Sequence, residues 1–164
     1  MSKFMIAAVQ VDTQDNKKEN LAKVGRFIDE AAGRGAKMVA IPENAHYIGT
    51  KEGTFENAEP IPGPMSDFFC KKAKEHGIWL NCGSIGEVIP NEKKLFNTCL
   101  MINPRGEIAA RYEKIHLYDV DIKDGPSTRE SDTKMAGKNI VVCDTDFCKV
   151  GLSICYDMRF PELY

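Results

Sequence analysis

The chain has 164 residues, 43% hydrophobic and 28% charged, with a net charge of -2, which is the composition of a single ordinary globular domain. It carries no basic block and no acidic tail, so neither nucleic acid nor an anionic membrane is expected as a partner. The opening MSKFMIAAVQVD has too short an apolar run for a signal peptide, and no stretch approaches the length of a bilayer span, so a cytoplasmic protein is expected.

Phe4 to Val11 reads as a strand with both faces mostly apolar, the pattern of an inner strand. Asn16, with Glu19 three positions on, predicts an N-cap. The helix that follows places Leu21, Val24, Phe27, Ile28 and Ala31 along one face and is stopped by Gly33 and Gly35. Lys37 to Ile41 is the next short strand, ending abruptly at Pro42-Glu43. Strand, helix, strand in that order is a crossover unit with a parallel pair, which indicates an α/β fold. Asn44 to Pro64 is a long connection containing Pro60-Ile-Pro-Gly-Pro64, and long loops in compact domains often form functional rims. Met65 to His76 predicts a second amphipathic helix closed by Gly77.

Ile78 to Val88 reads as a strand in which Gly83 and Gly86 mark a bulge or a close backbone approach. Leu95 to Ile102 and Glu107 to Tyr112 form a hairpin through the turn Asn103-Pro-Arg-Gly106. From Glu113 to Lys138 the chain is polar and irregular, with Gly125-Pro126 and Gly137 inside it. Asn139 to Cys143 and Lys149 to Ile154 then make another strand pair. No repeat, linker or boundary interrupts the chain, so residues 1–164 are expected to form one domain. The six cysteines lie mostly inside apolar runs without CxxC spacing, and the three histidines have no ligand-spaced companions. Neither disulfides nor a metal is implied, and no cofactor is called for.

Val150, Leu152 and Ile154 share one face of the last strand, which runs straight into Cys155. Pro161 and Glu162 suit the first turn of a helix, so Cys155 is expected at a sharp strand-to-helix junction. Unpaired backbone N–H groups at such a junction can lower a thiol's pKa and hold an oxyanion. A free cysteine is as often a small buried hydrophobe, and position alone leaves both readings open. Glu43 and Lys114 also fall at strand ends, where catalytic groups of open α/β sheets gather, and Glu130 lies in a nearby loop. Taken singly, each reads as a solvated surface charge.

The segment CYDMRFPEL beginning at Cys155 resembles the nucleophile segment of the nitrilase, or carbon–nitrogen hydrolase, superfamily. IPEN around Glu43, RYEKIHL around Lys114, GPSTRES around Glu130, AAVQ in the first strand and FNT in the hairpin fit the same pattern in order. The resemblance is greatest to the branch containing ω-amidase and deaminated-glutathione amidase. It implies an αββα sandwich, of which this chain would hold the N-terminal portion, so that the domain 1–164 is incomplete at its C-terminal end.

It also implies a Glu43–Lys114–Cys155 triad that cleaves a small carboxamide through a thioester and releases ammonia. Glu43 would act as base and acid, and Lys114 with the backbone N–H of Tyr156 would hold the oxyanion. Glu130 would orient the substrate or Lys114. The implied partners are a small amide substrate and further copies of the chain, as a homodimer or higher oligomer. Two alternatives remain at this point: a nitrile or N-carbamoyl amine as substrate, and a non-catalytic binding or assembly module of the same fold.

Overall fold

The computed structural model describes residues 3–125 and 127–164. Met1 and Ser2, in the opening segment, and Pro126, in the stretch read as irregular, lie outside them. Strand β1 (Ile6–Ala8), helix α1 (Lys17–Gly33) and strand β2 (Met38–Ala40) form the expected crossover, with β1 and β2 parallel. Asn16 caps α1 as its sequence suggests, its side chain accepting from the Glu19 N–H at 3.2 Å. Helices α2 (Lys51–Glu56) and α3 (Pro64–His76) follow, and α3 closes on Gly77 in the left-handed conformation. Strand β3 (Trp79–Asn81) lies parallel to β2.

The stretch read as one strand from Ile78 to Val88 is two, β3 and β4 (Ile85–Val88), broken at Gly83. Both pair antiparallel with the long strand β5 (Leu95–Ile102), and β6 (Ile108–Glu113) covers its other edge, so that Thr98 faces Ile85 on one side and Glu113 on the other. A ribbon of β7 (Asp119–Asp121) and β8 (Ser127–Arg129) and a hairpin of β9 (Val142–Asp144) and β10 (Lys149–Gly151) complete the chain. Two short 3₁₀ turns, Cys155–Arg159 and Pro161–Leu163, end it.

The central strands are apolar on both faces because both are covered. Val39, Leu80, Leu100 and Ile102 face Val24 and Ile28 of α1 and Met65, Phe69 and Ala73 of α3. Met38, Trp79, Cys99, Met101 and Tyr112 face Cys143, Leu152 and Ile154 of the hairpin side. Helices, sheet and hairpin thus stack as three layers, an α/β arrangement. β1 departs from the inner-strand reading: among the described residues it pairs only with β2, and Ile6 is 61% exposed. An apolar pattern reports what a strand can bury, not where it lies in the sheet. No helix among the described residues is long and apolar enough to cross a membrane.

Candidate active site

Three strand ends deliver three side chains to one place, and two glycines make that delivery possible. After β2 the chain continues through Ile41 and Pro42 to Glu43. Gly83 lies so close beneath that a Cβ there would stand 2.0 Å from the Pro42 carbonyl oxygen, and its φ of +62° is one that glycine adopts freely. Beyond Glu43 the backbone turns sharply at Asn44, also at positive φ, whose N–H donates to Ser84 Oγ at 3.0 Å. Lys114 is the first residue past β6. Its N–H donates to the Asn97 carbonyl and its own carbonyl accepts from Gly137, whose missing Cβ would otherwise meet the Glu113 carbonyl at 2.2 Å.

Around Lys114 the side chains close into a network. The buried ammonium donates to Glu130 Oε2 at 2.8 Å and Glu43 Oε1 at 3.2 Å. Asn97 Nδ2 bridges the same two carboxylates, at 2.7 Å to Glu43 and 3.2 Å to Glu130. Glu130 also accepts from the Tyr118 N–H at 2.8 Å. Burial works against the Lys114 charge, but the Glu130 hydrogen bond and the charges of Glu43 and Glu130 outweigh it and hold its pKa above the usual lysine value.

Cys155 completes the cluster. It adopts φ +49°, a left-handed conformation that costs a side-chain-bearing residue strain and that points to function when the surroundings enforce it. The enforcement comes from Asp157, fully buried two residues on. Its carboxylate accepts from the Ile154 N–H (2.9 Å), Tyr112 Oη (2.6 Å), the His116 N–H (2.9 Å) and His116 Nδ1 (2.8 Å). Tyr112 and His116 flank Lys114, so one carboxylate ties the cysteine turn to the lysine segment. The His116 ring is further stacked on Phe160, with centroids 3.7 Å apart. The backbone N–H of Tyr156 donates to no other group among the described residues. The Tyr156 ring packs edge-on against Tyr118 and Phe160.

Glu43, Lys114, Glu130 and Cys155 line a single cavity of about 350 Å³ with His46, Tyr118 and Lys134. A sequence profile described as carbon-nitrogen hydrolase matches residues 5–164. The chain belongs to the carbon–nitrogen hydrolase family. It is 43% identical to Omega-amidase NIT2 of Danio rerio and 44% identical to Omega-amidase NIT2-B of Xenopus laevis, in each case over 99% of this chain and 58% of the relative. The chain therefore spans somewhat over half the length of these relatives. The crystal structure of the C. elegans NitFhit protein superposes with a TM-score of 0.85 at 30% identity, over 96% of this chain and 39% of that one.

Within this carbon–nitrogen hydrolase chain, two expectations about the cysteine need correction. The segment after Cys155 is a pair of 3₁₀ turns rather than an α-helix, because Asp157 turns back to bond the Ile154 N–H and Phe160 bonds the Asp157 carbonyl. The thiol pKa is raised, not lowered. Burial and the neighbouring Glu43 charge, together with a hydrogen bond to that carboxylate, outweigh the pull of Lys114.

Asn97, Lys134 and His46 were not singled out as site residues by sequence reasoning. For Asn97 the signal was present in the FNT segment, since an amide on an otherwise apolar strand needs a partner. The long connection read between Asn44 and Pro64 holds α2, and the irregular stretch after Glu113 holds the β7–β8 ribbon.

Proposed function

We propose that this chain carries the reaction site of a cysteine hydrolase that cleaves the non-peptide carbon–nitrogen bond of a small carboxamide. The observation that carries this reading is the convergence of Glu43, Lys114 and Cys155 on one cavity from three separate strand ends. In the proposed cycle the Cys155 sulfur attacks the amide carbon while Glu43 takes the thiol proton, a suitable acceptor for a thiol that does not ionise readily unaided. The oxyanion forms against the Lys114 ammonium and the free Tyr156 N–H. Glu43 returns the proton to the nitrogen, the C–N bond breaks and ammonia leaves a thioester behind. A water molecule, deprotonated by Glu43, hydrolyses that thioester to the acid and restores the thiol.

Glu130 and Asn97 act in this reading through Lys114 and Glu43, holding ammonium and carboxylate in register. The omega-amidase names of the relatives favour, within the amides, those of short acids that carry a second carboxylate. The test is intact-mass spectrometry during incubation with a panel of small amides. An acyl adduct mapping to Cys155, absent in Cys155→Ala, is the expected result. Ammonia release that persists in Cys155→Ala defeats the thioester route, and carbon dioxide released alongside ammonia from N-carbamoyl amines added to the panel, with the amides untouched, reassigns the substrate to those compounds.

A further inference from the structure

Lys134 is a second buried lysine in the same cavity, and nothing in the proposed reaction uses it. It follows the 3₁₀ turn of Glu130, with its backbone bridged to Leu95 at the start of β5. Its side chain reaches over β4, where Nζ would stand 3.4 Å from a Cβ placed on Gly86; any larger residue there would crowd the ammonium. Only 6% of the residue is exposed. Lys114, just as buried, is bound by two carboxylates, whereas the Lys134 ammonium has no hydrogen-bond acceptor and no ion-pair partner among the described residues.

An ammonium that is largely buried and opens only on a cavity, with no protein acceptor, is costly, so such a group is retained where something else supplies the acceptor. Burial pulls its pKa down to about 8 against the attraction of Glu130 and Glu43, which leaves it mostly charged at neutral pH. His46 lines the same cavity, is 5% exposed, and has an Nδ1 that is buried without a partner. Burial and the charges of Lys17 and Lys134 push the His46 pKa down to about 4, so its ring is neutral; with its one N–H turned to the Ser84 backbone, Nδ1 is left as an acceptor facing no partner. The Asn20 amide fixes the His46 backbone by donating to its carbonyl at 3.0 Å. Two unpartnered polar groups, each more than nine-tenths buried, thus share the cavity that Cys155 lines.

We infer that Lys134 is the specificity-determining subsite of this cavity and receives the carboxylate at the far end of the substrate's acyl chain. The inference rests on the amidase reading for its substrate, but the subsite has a readout of its own. A cavity of about 350 Å³ is at the small end of the roughly 300–1,000 Å³ typical of ligand sites, so a short acyl chain held at Cys155 has its other end within the same enclosure.

Two probes of equal chain length test the assignment, succinamate and its neutral analogue butyramide. The intact protein is expected to favour succinamate in kcat/KM. Lys134→Met is expected to lower the succinamate-to-butyramide ratio about tenfold or more, mainly through KM, and Lys134→Arg to restore part of it. Lys134→Gln, which keeps a polar end without the charge, gives the same reading should the methionine variant fold poorly. A ratio that stays put, or two rates that fall together, overturns the inference and leaves Lys134 as a balancing charge for Glu43 and Glu130.

The second readout needs no turnover: succinate should shield Cys155 from iodoacetamide in the intact protein and much less in Lys134→Met. If neither amide is hydrolysed but this Lys134-dependent shielding is seen, the subsite stands and the hydrolase reading falls. Equal shielding in both proteins sinks the subsite whatever the activity.

Discussion

Two carboxylate networks meet on the five residues from Tyr112 to His116, and they are built to opposite ends. Lys114 carries the first, toward Glu43 and Glu130 at the cavity. Tyr112 and His116, two positions away on either side, carry the second, toward Asp157. In the first network two anions share one cation beside a thiol, and all four side chains border a ligand-sized space. In the second a single anion is enclosed by four donors with no solvent and no cavity, and everything is held. The comparison separates chemistry from geometry. In the proposed reaction the open network changes protonation state while the sealed one keeps its members in place.

Removing members of the open network should damage turnover far more than folding. Glu43→Gln is expected to have the largest effect, a loss of roughly 10²–10⁴-fold in kcat, as a general acid–base group does. It carries a diagnostic signature as well. Because the Glu43 charge helps hold the thiol pKa up, the amide should let Cys155 ionise at lower pH, shifting its iodoacetamide profile toward acid while turnover collapses. A profile that moves the other way would separate Glu43 from the thiol. Lys114→Met should cost about 10²–10³-fold, the scale of one lost oxyanion donor, with kcat falling more than KM rises. Near-normal kcat in that variant would remove Lys114 from the transition state.

The sealed network should show the reverse pattern, a stability loss that reaches activity only through misplacement of Cys155. Asp157→Asn leaves several donors facing an amide that cannot accept from all of them, at a cost of about 3 kcal/mol. Burial alone would raise the Asp157 pKa, but Tyr112, the Ile154 and His116 N–H groups and the His116 ring outweigh it and hold it below the ordinary 3.8. A depressed carboxylate stabilises the fold above its unfolded pKa, and that contribution is lost as pH falls through the folded value. The native protein should therefore lose stability below about pH 4, and Asp157→Asn should lose less over the same range. Urea melts between pH 7 and pH 2 measure both, and parallel curves would show that Asp157 is not the acid-sensitive group.

The contrast also explains what could be read from the sequence. The α1 cap, the crossover, the β5–β6 hairpin and the apolar face leading to Cys155 depend on local periodicity and turn chemistry, which the residues display openly. Glu43, Lys114, Glu130 and Cys155 stood out by motif, and Gly83 by its position inside a strand. The β7–β8 ribbon did not, because Ser127, Thr128 and Arg129 are polar and exposed and are paired through Asp121 instead of an apolar face. Lys134 was invisible for a related reason. A lysine between a threonine and a methionine looks like any surface lysine, and its burial is imposed by Gly86 and β5 from far along the chain.

The smallest expected effect is the one that tests the seal most directly. Tyr112 fills the apolar layer beneath the β9–β10 hairpin with its ring and reaches Asp157 with its hydroxyl, which also accepts from the Ile115 N–H at 3.3 Å. Tyr112→Phe keeps the packing and removes one donor from four, so it should cost about 1–2 kcal/mol, clearly less than Asp157→Asn. With one donor fewer on the charged form, the Asp157 pKa must rise, so the acid loss of stability must begin at higher pH than in the native protein. The change in magnitude and the change in pH dependence come from the same hydrogen bond. A Tyr112→Phe protein that is weaker by that amount, yet follows the native acid curve, would mean that the hydroxyl stabilises the sheet through Ile115 and leaves the carboxylate untouched.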